Sequence, residues 1–84
     1  MSEVARPVEV RLFAAARAAA GRERLEVAPG TLAEVLARAA EQAPGLGGVL
    51  PRCSVLVDGY AAHDDDAQVP AGAQVDVLPP FAGG

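Results

Sequence analysis

The chain predicts an α+β fold, one mixed sheet with a single long helix laid across one face, and three observations support this. A segment starting at Val8 and another ending at Leu78 both alternate apolar and polar residues, the period of half-buried strands. Between them, Thr31-Leu32-Ala33-Glu34 opens a run with helical spacing of its apolar positions. The length of 84 residues leaves room for one domain, and a chain this short buries only about 60 to 65% of its unfolded surface, so the core must be economical.

Met1 to Pro7 is a polar leader. In the first strand Val8, Val10 and Leu12 share one face, while Glu9, Arg11 and Phe13 share the other, which puts a large aromatic on the outward side. Ala14 to Ala20 is an alanine-rich short helix stopped by Gly21. Arg24 to Ala28 alternates again as a second strand, ended by Pro29-Gly30. Thr31 and Glu34 then fit a capping box. From there Leu32, Val35, Leu36, Ala39, Ala40 and Ala43 form one apolar stripe, with Glu34 and Arg38 as an i,i+4 ion pair on the far side, until Pro44-Gly45. Leu46 to Arg52 is a loop with room for a helical turn, and Ser54 to Val57 is a compact apolar strand leading into the tight turn Asp58-Gly59. Tyr60 to Gln68 has no clear pattern. Pro70-Ala71-Gly72 is a turn, and Gln74 to Leu78 is the last strand. The order strand, strand, helix, strand, strand places the first and last strands side by side at the sheet centre. This layout is the β-grasp of ubiquitin-like proteins, with residues 1–78 as the domain and residues 79–84 as a flexible tail.

Composition narrows the function. Formal net charge is −4, and all seven basic residues are arginines with no run among them, which argues against nucleic-acid binding. An acidic chain instead suits a partner with a basic entrance. There is no lysine, so the chain offers no side-chain amine as an acyl acceptor. The single cysteine rules out an internal disulfide framework. No signal peptide and no membrane-spanning run is evident, so a cytoplasmic, membrane-free setting is expected. Aromatics are limited to one tyrosine and two phenylalanines, too few for a deep aromatic pocket.

The tail, Leu78-Pro79-Pro80-Phe81-Ala82-Gly83-Gly84, carries the clearest functional signal. Gly83 and Gly84 lack a Cβ and can thread in extended form through a channel too narrow for other residues, delivering a carboxylate to a reactive centre. Pro79 and Pro80 fix φ and remove two backbone donors, which ends the sheet and projects the last four residues away from the body.

Val10-Arg11-Leu12-Phe13-Ala14, Arg17, Gly21, the threonine-capped helix, Val57-Asp58-Gly59, Gly72 and the Pro-Pro…Gly-Gly end together resemble the MoaD/ThiS sulfur-carrier family from Val8 onward. The proline pair is most similar to the MoaD type, the small subunit of molybdopterin synthase. The resemblance implies that an E1-like adenylyltransferase, using ATP and magnesium, activates Gly84 and that a donor converts it to a thiocarboxylate. The large synthase subunit, which would carry the catalytic residues, then uses that sulfur to build molybdopterin. No cofactor bound by this chain itself is implied. Other pathways of the same carrier chemistry, thiamine or cysteine formation, stay open, as does a ubiquitin-like modifier of target lysines. Family members often place two acids after the glycine of the last turn, where this chain has Gly72-Ala73-Gln74.

Phe13, Leu78 and Phe81 are candidates for an apolar patch that anchors a partner, and Arg17 for an ion pair with one. Cys53 reads as a small hydrophobe rather than a nucleophile. His63 with Asp64, Asp65 and Asp66 reads as a solvated acidic loop, because consecutive aspartates point in different directions and lack ligand spacing, so no metal site is expected.

Overall fold

Residues 6–80 are described by a computed structural model of the chain. β1 (Val8–Leu12) buries Val8, Val10 and Leu12, and β7 (Gln74–Leu78) buries Val75 and Val77, so each offers the core one apolar face. The two run parallel in register from Glu9↔Gln74 to Leu12↔Val77. A parallel pair formed by the two ends of a chain needs a long crossover, and the intervening helix supplies it. β2 (Arg24–Val27) pairs antiparallel with β1, and β4 (Ser54–Val57) pairs antiparallel with β7. β5 (Tyr60–Ala61) extends the sheet past β4, giving the order β2-β1-β7-β4-β5. The first and last long strands are central neighbours, as the patterning predicts.

Two local turns set this geometry. α1 (Ala14–Ala20) ends on Gly21 in the left-handed region at φ 72°, with the Gly21 N–H donating to the Arg17 carbonyl at 2.8 Å. Between β4 and β5, Asp58 and Gly59 both have positive φ, 50° and 88°, as a two-residue hairpin of the primed type demands. Asp58 also closes the start of β7: its N–H donates to the Gln74 carbonyl at 2.8 Å, and its Oδ1 accepts from the Gln74 N–H at 2.9 Å.

α2 (Leu32–Gln42) crosses one face of the sheet and buries Leu32, Val35 and Ala39, with Leu36 and Ala40 half-buried beside them. The capping box is complete: the Glu34 N–H donates to Thr31 Oγ1 at 3.1 Å and the Thr31 N–H donates to Glu34 Oε1 at 2.9 Å. The bond from the Thr31 backbone N–H holds the Glu34 carboxyl below its ordinary range, with the nearby Arg38 charge adding to the effect. The expected Glu34–Arg38 ion pair is not among those of the described residues. Arg38 Nη1 donates instead to the carbonyls of Ala28 and Pro29 at 3.1 and 3.0 Å, where β2 ends and neither carbonyl has a backbone partner among the described residues. Two short 3₁₀ turns, Pro44–Gly48 and Leu50–Arg52, return the chain to β4, and Leu46 on the first is fully buried.

A second ribbon pairs β3 (Gly30–Thr31) with β6 (Gln68–Val69), and Val69 plugs that end of the core. Neither it nor β5 is predicted from sequence, because two-residue strands carry no periodicity.

Candidate functional site

The face of the sheet turned away from α2 is built by the residues that alternate with the core set. Register aligns a row across it: Arg24 beside Arg11, Arg11 beside Asp76, Asp76 beside Leu56, and Leu56 beside Ala61. At its centre Arg11 grips Asp76 with two bonds, Nε to Oδ1 at 2.9 Å and Nη2 to Oδ2 at 3.2 Å, across the parallel strands. The Asp76 side chain is only 13% exposed, so this fork lets a carboxylate sit in the middle of the sheet. The hydrogen bond to Asp76 raises the Arg11 pKa further, and the guanidinium stays charged throughout. A second, more exposed pair joins Arg24 to Glu9 at 3.1 Å.

The Leu78 end of this face is where the chain leaves the sheet. Leu78 is half-buried opposite Ser54, Pro79 is half-buried, and Pro80 is exposed. β1 ends at Leu12, so Phe13 lies beyond the strand rather than on its outward face and occupies the N-cap position of α1. Its N–H donates to the Val77 carbonyl at 3.2 Å, which ties it to the residue just before Leu78. The Phe13 ring is 37% exposed, with the Arg11 guanidinium 5.5 Å from its centroid. Arg17, on α1, is exposed and shares a shallow cleft with Arg11, Phe13, Glu23 and Arg24. The structure thus brings Phe13, Arg17, Leu78, Pro79 and Pro80 to one end of the sheet. Phe81, Gly83 and Gly84 lie outside the described residues.

Sequence reasoning passes over Arg11, Asp76 and Leu56 on this face. The Arg11 and Asp76 positions alternate with core valines and are visible in the pattern, but their pairing joins residues 65 apart. Leu56 is hidden because its strand, Ser54-Val55-Leu56-Val57, is apolar at three successive positions.

The other candidates take up packing positions or lie elsewhere. Cys53 packs against the core, its thiol donates to the Val49 carbonyl at 3.2 Å, and burial pushes its pKa up, away from thiolate chemistry. His63, Asp64, Asp65 and Asp66 are exposed, and the Asp66 N–H donates to Asp64 Oδ1 at 2.9 Å. Among the described residues no three His, Cys, Asp or Glu side chains gather as a metal site. An open groove of about 630 Å³ lies on the α2 side of the sheet among the described residues, with Leu36, Leu50 and Cys53 on its wall. Ala73, which follows the glycine of the last turn, is buried in the core. No helix among the described residues is long and apolar enough to cross a membrane.

A mixed five-stranded sheet with one helix across it, ending where its central strand meets a proline pair, defines a ubiquitin-like β-grasp protein. The ThiS family model matches residues 10–84, and the chain belongs to that family of ubiquitin-like sulfur carriers and small modifiers. Among solved structures it is similar to small archaeal modifier protein 1 from Haloferax volcanii, with 26% identity over 93% of this chain and 99% of the other and a TM-score of 0.83. A chain of the complex of subunits 1 and 2 of molybdopterin-converting factor from Helicobacter pylori shares the fold at 23% identity, with 93% and 99% covered and a TM-score of 0.70. So does one of the BexX/CysO complex from Amycolatopsis orientalis, at 22% identity, 92% and 99% covered, and a TM-score of 0.79. No curated protein matches the chain.

Proposed function

We propose that this protein carries sulfur as a thiocarboxylate on Gly84 and serves as the small subunit of a molybdopterin synthase. The observation that carries the reading is the join between fold and tail: the central strand β7 passes directly into Pro79-Pro80, and the sequence ends in Gly83-Gly84. An ionised carboxylate is a poor electrophile, so it has to be activated first. In the proposed sequence an E1-like adenylyltransferase transfers AMP from magnesium-bound ATP to the Gly84 carboxylate and releases pyrophosphate. A sulfide-level donor then attacks the acyl carbon and expels AMP, leaving the thiocarboxylate. The proline pair and the fold shared with a chain of the molybdopterin-converting factor complex support the synthase assignment. Catalytic groups for dithiolene formation are assigned to the large subunit, and the Phe13–Leu78 end of the sheet to partner docking.

The similarity to a small archaeal modifier protein supports a second reading, attachment of the Gly84 carboxyl to lysines of other proteins. Intact mass after incubation with an E1-like enzyme, ATP and a sulfide source separates the two. Exchange of one oxygen for sulfur supports the carrier, whereas branched Gly-Gly-lysine peptides in a cell digest support the modifier. An unchanged mass and no pyrophosphate release would sink both. Capture of a large synthase subunit, rather than a thiazole or cysteine synthase, tests the pathway.

A further inference from the structure

The net charge of −4 is unevenly placed. Arg11, Arg17, Arg22, Arg24 and Arg52 all fall at the Leu78 end of the molecule. Arg11 and Arg24 face each other near the ends of β1 and β2, Arg17 shares their cleft, and Arg22 joins Arg24 on the wall of the next cleft. Arg52 lies two residues before Ser54, the register partner of Leu78. The acids among these arginines are Glu23, Glu26 on the wall of the Arg22 cleft, Glu9 paired with Arg24 and the Arg11-bound Asp76, so five arginines meet four carboxylates, two of which are already taken up by Arg24 and Arg11. Arg17, Arg22 and Arg52 are exposed and make no ion pair among the described residues.

A second set of acids lies at the opposite end. Asp58 is bonded to Gln74, the first residue of β7, and Glu34 caps the start of α2. Asp65 is tied to that same helix start, its carbonyl accepting from the Ala33 N–H at 3.1 Å, and Asp64 and Asp66 flank it. Five strand residues separate the two ends, about 13 Å at 3.3 Å per residue. Charges are screened over about 8 Å at physiological salt, so a protein approaching the Leu78 end senses the local arginines rather than the net charge.

We propose that the Leu78 end is a basic docking surface for a folded partner whose tail-accepting channel has an acidic rim. The inference rests on the reading that the tail is delivered to a partner. It reverses the basic entrance that net charge alone suggests. A nucleic-acid ligand fits less well, because Phe13 shares the arginine cleft with Glu23 and the opposite end carries further acids.

The test compares the full chain with Arg17→Glu/Arg22→Glu/Arg52→Glu and with Asp65→Asn/Asp66→Asn. Correct folding of both variants is checked from their amide spectra. Pyrophosphate release by the source organism's E1-like adenylyltransferase is followed at low and high salt. Steering of this kind changes association rates by roughly 10- to 1000-fold. The arginine variant is therefore expected to lose at least about tenfold in kcat/KM at low salt and to match the wild type at high salt. The aspartate variant is expected to stay within about twofold of it. An arginine variant that is equal or faster at low salt overturns the proposal.

A second arm needs no enzyme. A hexaglutamate peptide is titrated into the labelled wild-type chain and amide shifts are followed. Saturable shifts confined to residues 13–24 and 50–54 support the surface; shifts elsewhere, or none, overturn it. A single-stranded decaribonucleotide that moves the same amides at lower concentration also overturns it, in favour of nucleic acid. If the wild type releases no pyrophosphate, the adenylation reading fails, and the peptide arm still decides the surface.

Discussion

Gly45 shows how tightly a small core is assembled. A Cβ added there would run into the carbonyl oxygen of Ala19, the backbone of α1, which has no flexible end to move aside. Gly45→Ala is expected to destabilise the fold by about 1 to 3 kcal/mol, read as a lower urea midpoint. Thr31 acts through hydrogen bonding rather than packing, and losing its hydroxyl leaves the Glu34 N–H without its cap. Thr31→Ala should cost about 1 kcal/mol. Glu34 adds a pH dependence of known sign: its folded carboxyl titrates below its ordinary range, so its contribution is complete above the unfolded value and lost as pH falls through the folded one. Glu34→Gln should therefore lower the urea midpoint at pH 7, and the gap to wild type should close near pH 3.

β2 is an edge strand, and exposed edges invite pairing with other chains. α2 covers this one with side chains: Gln42 Nε2 donates to the Glu26 carbonyl at 2.7 Å, and Arg38 covers the carbonyls of Ala28 and Pro29. Arg38 is thereby drawn from the helical ion pair expected with Glu34, because these backbone carbonyls compete for its donors. Removing both covers in Arg38→Ala/Gln42→Ala should raise self-association, measured by sedimentation at increasing concentration. An unchanged monomer would show that the edge is protected by other means. α2 therefore serves twice, through its apolar stripe and through the polar residues beside it.

Fold and proposed chemistry are separated along the chain. Among the described residues, every member of the buried core lies between Val8 and Val77, while the proposed reactive carbon is on Gly84. Deleting Gly84, which is not one of the described core residues, should shift the thermal midpoint by no more than about 2 to 4 degrees, since changes outside a core are usually within about 0.5 kcal/mol. It should also abolish thiocarboxylate formation in the intact-mass assay. A deleted chain that still loads sulfur would place the chemistry elsewhere. The body of the molecule then serves as a handle, with its polarity as well as its shape available for recognition.

Much of the fold is legible in the residues themselves. Alternation marks β1, β2 and β7, the Thr31–Glu34 box marks the start of α2, and Asp58-Gly59 marks the hairpin, because each depends on neighbours a few positions apart. Phe13 stands out as a misfit on a core strand, but its place at the junction to α1 depends on the strand stopping one residue earlier. The two-residue strands β3, β5 and β6 are not legible, since they exist only through their partners. By itself, then, the sequence determined the strand and helix segments, the family and a tail of proline and glycine. Only the tertiary structure decided that Arg11 and Asp76 meet at the sheet centre and that scattered arginines gather where the chain leaves it. The reason is physical: local periodicity is written within a few residues, whereas strand register joins positions far apart and is set by burying every apolar face at once.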